Sequence, residues 1–140
     1  MLKTERTYII FAEARAIYNE ALKLLDKADE YWDRDLLRMS AEKTWTAALL
    51  ATNAFILART GEEPEPNDDD GTHKRLLHLY KEIPDWEVFT GRYAGISHDI
   101  YQQAVVEGNL DPVYLLIHDI RQTADYIQEC ERLAGIGEDE

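Results

Sequence analysis

Apolar residues along this chain recur every three or four positions, the spacing that gathers side chains onto one face of an α-helix. From about residue 4 to 31 the stripe is Ile10, Ala14, Ile17, Ala21, Leu24, Ala28 and Tyr31, with Thr4 as N-cap. From about 34 to 60 it is Leu37, Ala41, Thr44, Ala48, Ala51 and Phe55, widened by Trp45 and Leu49. The small side chains in this second stripe allow another helix to approach closely. Gly61 suits a helix C-terminus, and Pro64 and Pro66 follow as stop signals. The link between the two stripes is short, which predicts an antiparallel helical hairpin.

The stretch from Glu62 to Gly71 carries no hydrophobic residue and predicts one long, solvated loop. Thr72 is then expected to cap a short third helix ending before Pro84, with Leu76, Leu79, Tyr80 and Ile83 as its stripe. Asp85 is expected to cap a fourth helix over about 86–107, bearing Val88, Phe89, Ile96, Ile100 and Val105. Gly91 and Gly95 interrupt it at a cost of about 1 kcal/mol each relative to alanine, and Gly108 and Asn109 end it. Asp111 and Pro112 start a fifth helix, because proline suits the first helical position. That helix runs to about Ala134 with Val113, Leu116, Ile117, Ile120, Ala124 and Ile127 facing inward, and Gly135 caps it. The fold class expected is therefore all-α: an antiparallel bundle of four long helices plus one short helix. One domain over residues 1–134 and a flexible acidic tail over 135–140 complete the expectation.

Composition narrows what such a bundle does. A chain of 140 residues with 45% hydrophobic content has enough apolar surface for one core. Its formal net charge of −13 repels anionic membranes and nucleic acid at long range, which argues against a broad, non-specific grip on nucleic acid. No stretch approaches the length of an apolar membrane span, and the N-terminus lacks the apolar core of a signal peptide. The single cysteine, Cys130, has no partner for a disulfide or a metal site and reads as a small buried residue. A cytoplasmic location follows from these readings, with no membrane partner, no cofactor and no metal expected.

Chemistry concentrates in residues 89–103, FTGRYAGISHDIYQQ. Gly91 and Gly95 are four apart and share a helix face, and His98 lies about 20° from Gly91 around the axis. Bare backbone beside an imidazole suits either close approach of a helix or a ligand, and both readings stand. Arg92 lies six residues before His98, about 120° away on an α-helix. Its guanidinium offers a fixed fork of donors for phosphate, and an imidazole exchanges protons near neutral pH. Other groupings are weaker. His73 and His78 diverge by about 140°. Lys74, Arg75 and Lys81 form the densest basic patch and read as a solvated face. Asp68, Asp69 and Asp70 lack the alternating ligands of a calcium loop. Glu13, Glu20, Asp26 and Glu30 lack the carboxylate–histidine pattern of di-iron bundles, and His118 reads as structural.

Three features together resemble the HEPN superfamily (higher eukaryotes and prokaryotes nucleotide-binding domains) in its archaeal and bacterial branches. They are Arg92 followed by YAGIS and His98, the run SHDIYQQ ahead of an Asp-Pro-started final helix, and AEKTWTAALLATNAFILARTGEEP with Trp45 and a glycine–proline exit. The resemblance extends over roughly residues 8–130. It implies a small helical bundle, often dimeric, whose ribonuclease members place Arg and His in this spacing near the start of the penultimate long helix. The implied activity is metal-independent RNA cleavage. His98 moves the proton, Arg92 stabilises charge on phosphate, and Asp99 and Tyr101 orient the imidazole or the RNA. Implied partners are RNA, a second copy whose cleft meets the first at a dimer interface, and an antitoxin or other restraining protein. The chain departs from the pattern at Tyr93, where catalytic members place a small polar residue after the arginine. A second reading, a non-catalytic helical module for protein interaction or nucleotide binding, is favoured by that tyrosine and by the acidity.

Overall fold

The computed structural model describes residues 5–79 and 81–136, with Tyr31 described by its backbone alone. Thr4, Tyr80, the Tyr31 side chain and the end of the acidic tail, all used in the sequence reading, lie outside the described residues. The first helix, α1, spans Glu5–Tyr31, 27 residues or about 40 Å. Its buried stripe is Thr7, Ile10, Phe11, Ala14, Tyr18, Ala21, Leu25 and Ala28. The stripe is rotated slightly from the one expected: Ile17 and Leu24 are half-buried, and Tyr18 and Leu25 occupy the centre. Tyr18 belongs inside because its hydroxyl reaches a partner across the bundle, the carbonyl oxygen of Ile120 at 2.8 Å.

A tight turn at Trp32 and Asp33 reverses the chain into α2, Arg34–Thr60. Asp33 caps α2, its carboxylate accepting the Leu36 N–H at 3.1 Å. Ser40 then donates to the Ala21 carbonyl at 2.7 Å and ties the two helices of the hairpin together. Every side chain from Ala51 to Ala58 is buried, because α1, the fifth helix and the segment after Gly95 all pack on α2. Ala41, Ala47, Ala48, Ala51, Ala54 and Ala58 keep its surface low enough for helix axes to approach within about 8–10 Å. Phe55 and Ile56 are fully enclosed between them, each worth about 1.5–3 kcal/mol of burial. Gly61, at φ 79°, closes α2 as expected, its N–H donating to the Leu57 carbonyl.

The third helix corrects the sequence reading at both ends. α3 is Asp69–Leu77, capped by Asp68, whose carboxylate accepts the Gly71 N–H at 3.0 Å. Thr72 is therefore inside the helix rather than at its cap. It is buried, and its hydroxyl donates to Asn53 Oδ1 at 2.7 Å. The acidic run provides the first turn because carboxylates there complement the positive end of the helix dipole. Asp85 also differs from expectation. It precedes α4 in the left-handed region at φ 53°, and its side chain caps nothing.

α4 runs Trp86–Gly95 and continues without a break as a π-helix, Ile96–Val106. Its hydrogen bonds reach one residue further than in an α-helix, as in Glu107 N–H to the Gln102 carbonyl at 3.0 Å. Val88, expected in the core, is 63% exposed, and Tyr93 holds the interior place instead. The last helix, α5, is Val113–Leu133, with Pro112 one residue ahead of its first turn. Gly135, at φ 78°, ends it through paired reverse bonds, Ile136 N–H to Glu131 and Gly135 N–H to Arg132. The architecture is thus an all-helical bundle centred on α2, and no strand occurs among the described residues.

One carboxylate fixes the helix that carries the candidate chemistry. Asp69 accepts the Tyr93 hydroxyl at 2.5 Å on one oxygen and the Ser97 hydroxyl at 2.9 Å on the other. Tyr93 and Ser97 are four residues apart and straddle the change from α to π. The Trp86 indole adds a second tie, donating to the Leu76 carbonyl at 3.2 Å. Asp69→Ala leaves the enclosed Tyr93 hydroxyl without its acceptor and is expected to cost about 1–3 kcal/mol in urea denaturation. Tyr93→Phe, which removes the donor and leaves the half-buried Asp69 carboxylate to Ser97 and water, is expected to cost less. An Asp69→Ala protein as stable as the parent is incompatible with this anchoring role.

Candidate functional site

The helix fixed by Asp69 turns its exposed side toward α5, and two adjoining hollows open there. One, of about 220 Å³, is lined by Arg92, Gly95, Asp99, Asp119, Gln122 and Tyr126 among others. The second, of about 280 Å³, is lined by His98, Asp99, Gln103, Asp111, Leu115 and Asp119 among others. Asp99 and Asp119 border both and form the wall between them. Arg92 and His98 therefore face neighbouring hollows rather than a single one. The π geometry is the reason. From Ile96 onward each residue advances the chain by a smaller angle than in an α-helix, which carries His98 further around the axis from Arg92.

Each side chain has an identifiable hold. The Arg92 guanidinium lies 5.9 Å from the centre of the Tyr126 ring, a cation–π contact. Tyr126 is itself fixed by a buried 2.7 Å hydroxyl–hydroxyl bond to Thr52 on α2. His98 is exposed, and its Nδ1 donates to Asp99 Oδ1 at 2.8 Å. That bond orients the imidazole and leaves Nε2 for another partner. Tyr101, the other supporting residue named from the sequence, stacks on Trp45 with ring centres 4.9 Å apart and lines neither hollow. Tyr93 is also no part of either hollow: it is 1% exposed and packs beside Trp45 and Tyr126.

The local charge balance is set by the two shared carboxylates. Burial pushes the Asp119 carboxyl above the ordinary value, the Asp99 charge pushes it further, and His118 partly offsets both. The Tyr93 hydroxyl is held far above the ordinary tyrosine range, first by burial and then by its bond to Asp69, so it stays a donor. Burial raises the Cys130 thiol to about 12, which keeps it an inert core group as read from the sequence. Among the described residues no cluster of three or more His, Cys, Asp or Glu side chains is placed to hold a metal ion, and no helix is long and apolar enough to cross a membrane.

The two glycines lie open. A Cβ built on Gly91 or Gly95 meets no atom within 4 Å, so close packing inside this chain does not account for either. Asp119, Gln122 and Tyr126 were not legible as site residues, because their positions in α5 follow the ordinary alternation of a helix edge. Only the packing of α5 against the π-helix brings them beside Arg92 and Asp99.

Two substitutions probe this face. Gly91→Ala is expected to raise stability by about 0.5–1 kcal/mol, since the site has helical geometry and free space. A loss of stability in urea titration shows that something covers the face. Asp119→Asn tests the carboxylate wall. Folding raises the Asp119 pKa, so its charge opposes folding above the raised value and costs nothing well below the ordinary value near 4. The substitution is expected to stabilise the fold modestly at pH 7, where Asp119 is charged and partly exposed. The gain shrinks as pH falls through the raised value and vanishes only well below pH 4, so paired thermal melts at neutral pH and near pH 2.5 check the sign.

A search of curated proteins and a search of solved structures each found no match to the chain. A family model did match, described as the archaeal PaREP1/PaREP8 family, over residues 16–110. That span includes α2, α3, α4 and the π-helix, with Arg92, His98 and the Asp69 anchor inside it. By that match the chain belongs to the archaeal PaREP1/PaREP8 family.

Proposed function

We propose that the chain is a HEPN-like helical domain that cleaves single-stranded RNA without a metal ion, acting in the cytoplasm as a homodimer. The observation that carries this reading is the exposed His98 with Nδ1 held by Asp99, on the same interrupted helix as Arg92. In this mechanism Nε2 of His98 accepts the proton of a ribose 2′-hydroxyl. The 2′-oxygen attacks the adjacent phosphorus and the bond to the 5′-oxygen breaks. The 5′-oxygen takes a proton from water, His98 returns its own proton to solvent, and the products are a 2′,3′-cyclic phosphate and a 5′-hydroxyl. Arg92 stabilises the charge that builds on the phosphate oxygens. Because Arg92 and His98 face separate hollows in one chain, a second copy is the means of joining them, and the uncovered Gly91–Gly95 backbone supports such an approach.

One observation favours the alternative, a non-catalytic interaction module. Asp99 and Asp119 line both hollows and repel a phosphate. Cleavage of a labelled single-stranded RNA in the presence of a chelator distinguishes the two. The nuclease reading expects cyclic-phosphate ends, a loss of at least about 100-fold in His98→Ala, and a marked loss in Arg92→Ala. Asp119→Asn, which removes charge beside the phosphate, is expected to raise the rate. Wild-type protein without activity, or activity unchanged in His98→Ala, overturns it.

A further inference from the structure

On the turn between α1 and α2 stands Trp32, 91% exposed, with its backbone in the left-handed region at φ 54°. A bulky side chain in that region is an outlier, since glycine takes the same conformation without steric cost. The indole borders an apolar hollow of about 290 Å³ whose other apolar walls are Ala28, Leu37, Val113 and Ile117. A large exposed aromatic beside an apolar recess is the makeup of an interface centre, where tryptophan is over-represented among residues that dominate affinity.

The charge around the recess says which occupant fits. Asp29 and Asp33 line it, and Glu30 and Asp35 are exposed on either side of the turn, with Lys27 the exposed cation one turn back along α1. The one cation lining the recess, Arg34, is engaged by Asp111 at 3.2 Å. A second copy docked through this same end would set its own Asp29 and Asp33 against these carboxylates. A cationic partner gains from the same field in both rate and specificity.

We propose that the Trp32 recess seats an amphipathic helix of a partner protein, with an aliphatic anchor in the hollow and Lys or Arg on its flanks. The occupant's apolar side chain fills the space between Trp32, Leu37 and Ile117, and its cations face Asp29 and Asp33. This surface is distinct from the hollows at Arg92 and His98, so the proposal stands whether or not the chain cleaves RNA.

The test uses the full chain and two synthetic helical peptides of matched length, one built from Leu and Lys, the other from Leu and Glu. Calorimetry is expected to show binding of the Leu–Lys peptide alone. Trp32→Gly is expected to weaken that binding at least tenfold while leaving the melting temperature unchanged or higher, since glycine relieves the backbone. Val113→Lys, which sets a cation on the wall of the recess, is expected to weaken it as well. Equal binding by the parent and Trp32→Gly shows attraction to bulk acidity and overturns the proposal. Absence of binding, or binding of both peptides alike, does the same. A dimer of the parent chain that sedimentation finds lost in Trp32→Gly makes a second copy the occupant, and also overturns it.

Discussion

A helix enclosed by its neighbours is limited by how closely they can come, and α2 meets that limit with alanine along much of its length. The limit governs the rest of the bundle. α1, α5 and the π-helix reach α2 at short range because so little stands out from it. Four polar residues of α2 are buried, Ser40, Thr44, Thr52 and Asn53, and each is paired: with the Ala21 carbonyl, with the Ser40 carbonyl, with the Tyr126 hydroxyl, and with the Thr72 hydroxyl. Those bonds matter because an unpaired polar group at such depth costs more than a made bond returns. They also set rotation. Tyr126 stands at one angle to satisfy Thr52, and Arg92 in turn lies over the Tyr126 ring.

The second constraint is the Asp69 clasp on Tyr93 and Ser97. It joins the start of α3 to the point where α4 becomes a π-helix. An extended π segment is rare, and π-turns concentrate at functional sites because they redirect side chains without ending the helix. Here the redirection separates Arg92 from His98 and brings Asp99 into line with Asp119 of α5. Any chemistry at this face must work with two carboxylates between its cation and its imidazole. That arrangement suits proton handling by His98 and opposes a free phosphate, and the Gly91–Gly95 backbone beside it is left clear for another molecule.

Two surfaces of different character result. The face at Arg92 and His98 is polar and lined by titratable groups. The end at Trp32 is apolar at its centre and acidic at its edge. Acidity is common to both, and at either surface it draws positive charge and repels negative charge.

The sequence by itself determined the helices and most of the core, since a 3.6-residue period and small side chains constrain local geometry whatever the fold. The α2 stripe, the Gly61 and Gly135 ends and the buried Cys130 were all legible in this way. The third helix was misplaced because an acidic run reads equally as solvated loop or as a favourable first turn, and only the burial of Thr72 against Asn53 decides between them. The face of α1 was misjudged by a small rotation, because Tyr18 and Ile17 are both apolar enough for the interior and only the reach of a hydroxyl to α5 separates them. The arrangement around the candidate site was left to tertiary structure altogether. Whether six residues along a helix bring two side chains together depends on the helix being α or π. The segment around that switch is held by a carboxylate distant in sequence and by a tyrosine from the last helix, contacts that no local pattern contains.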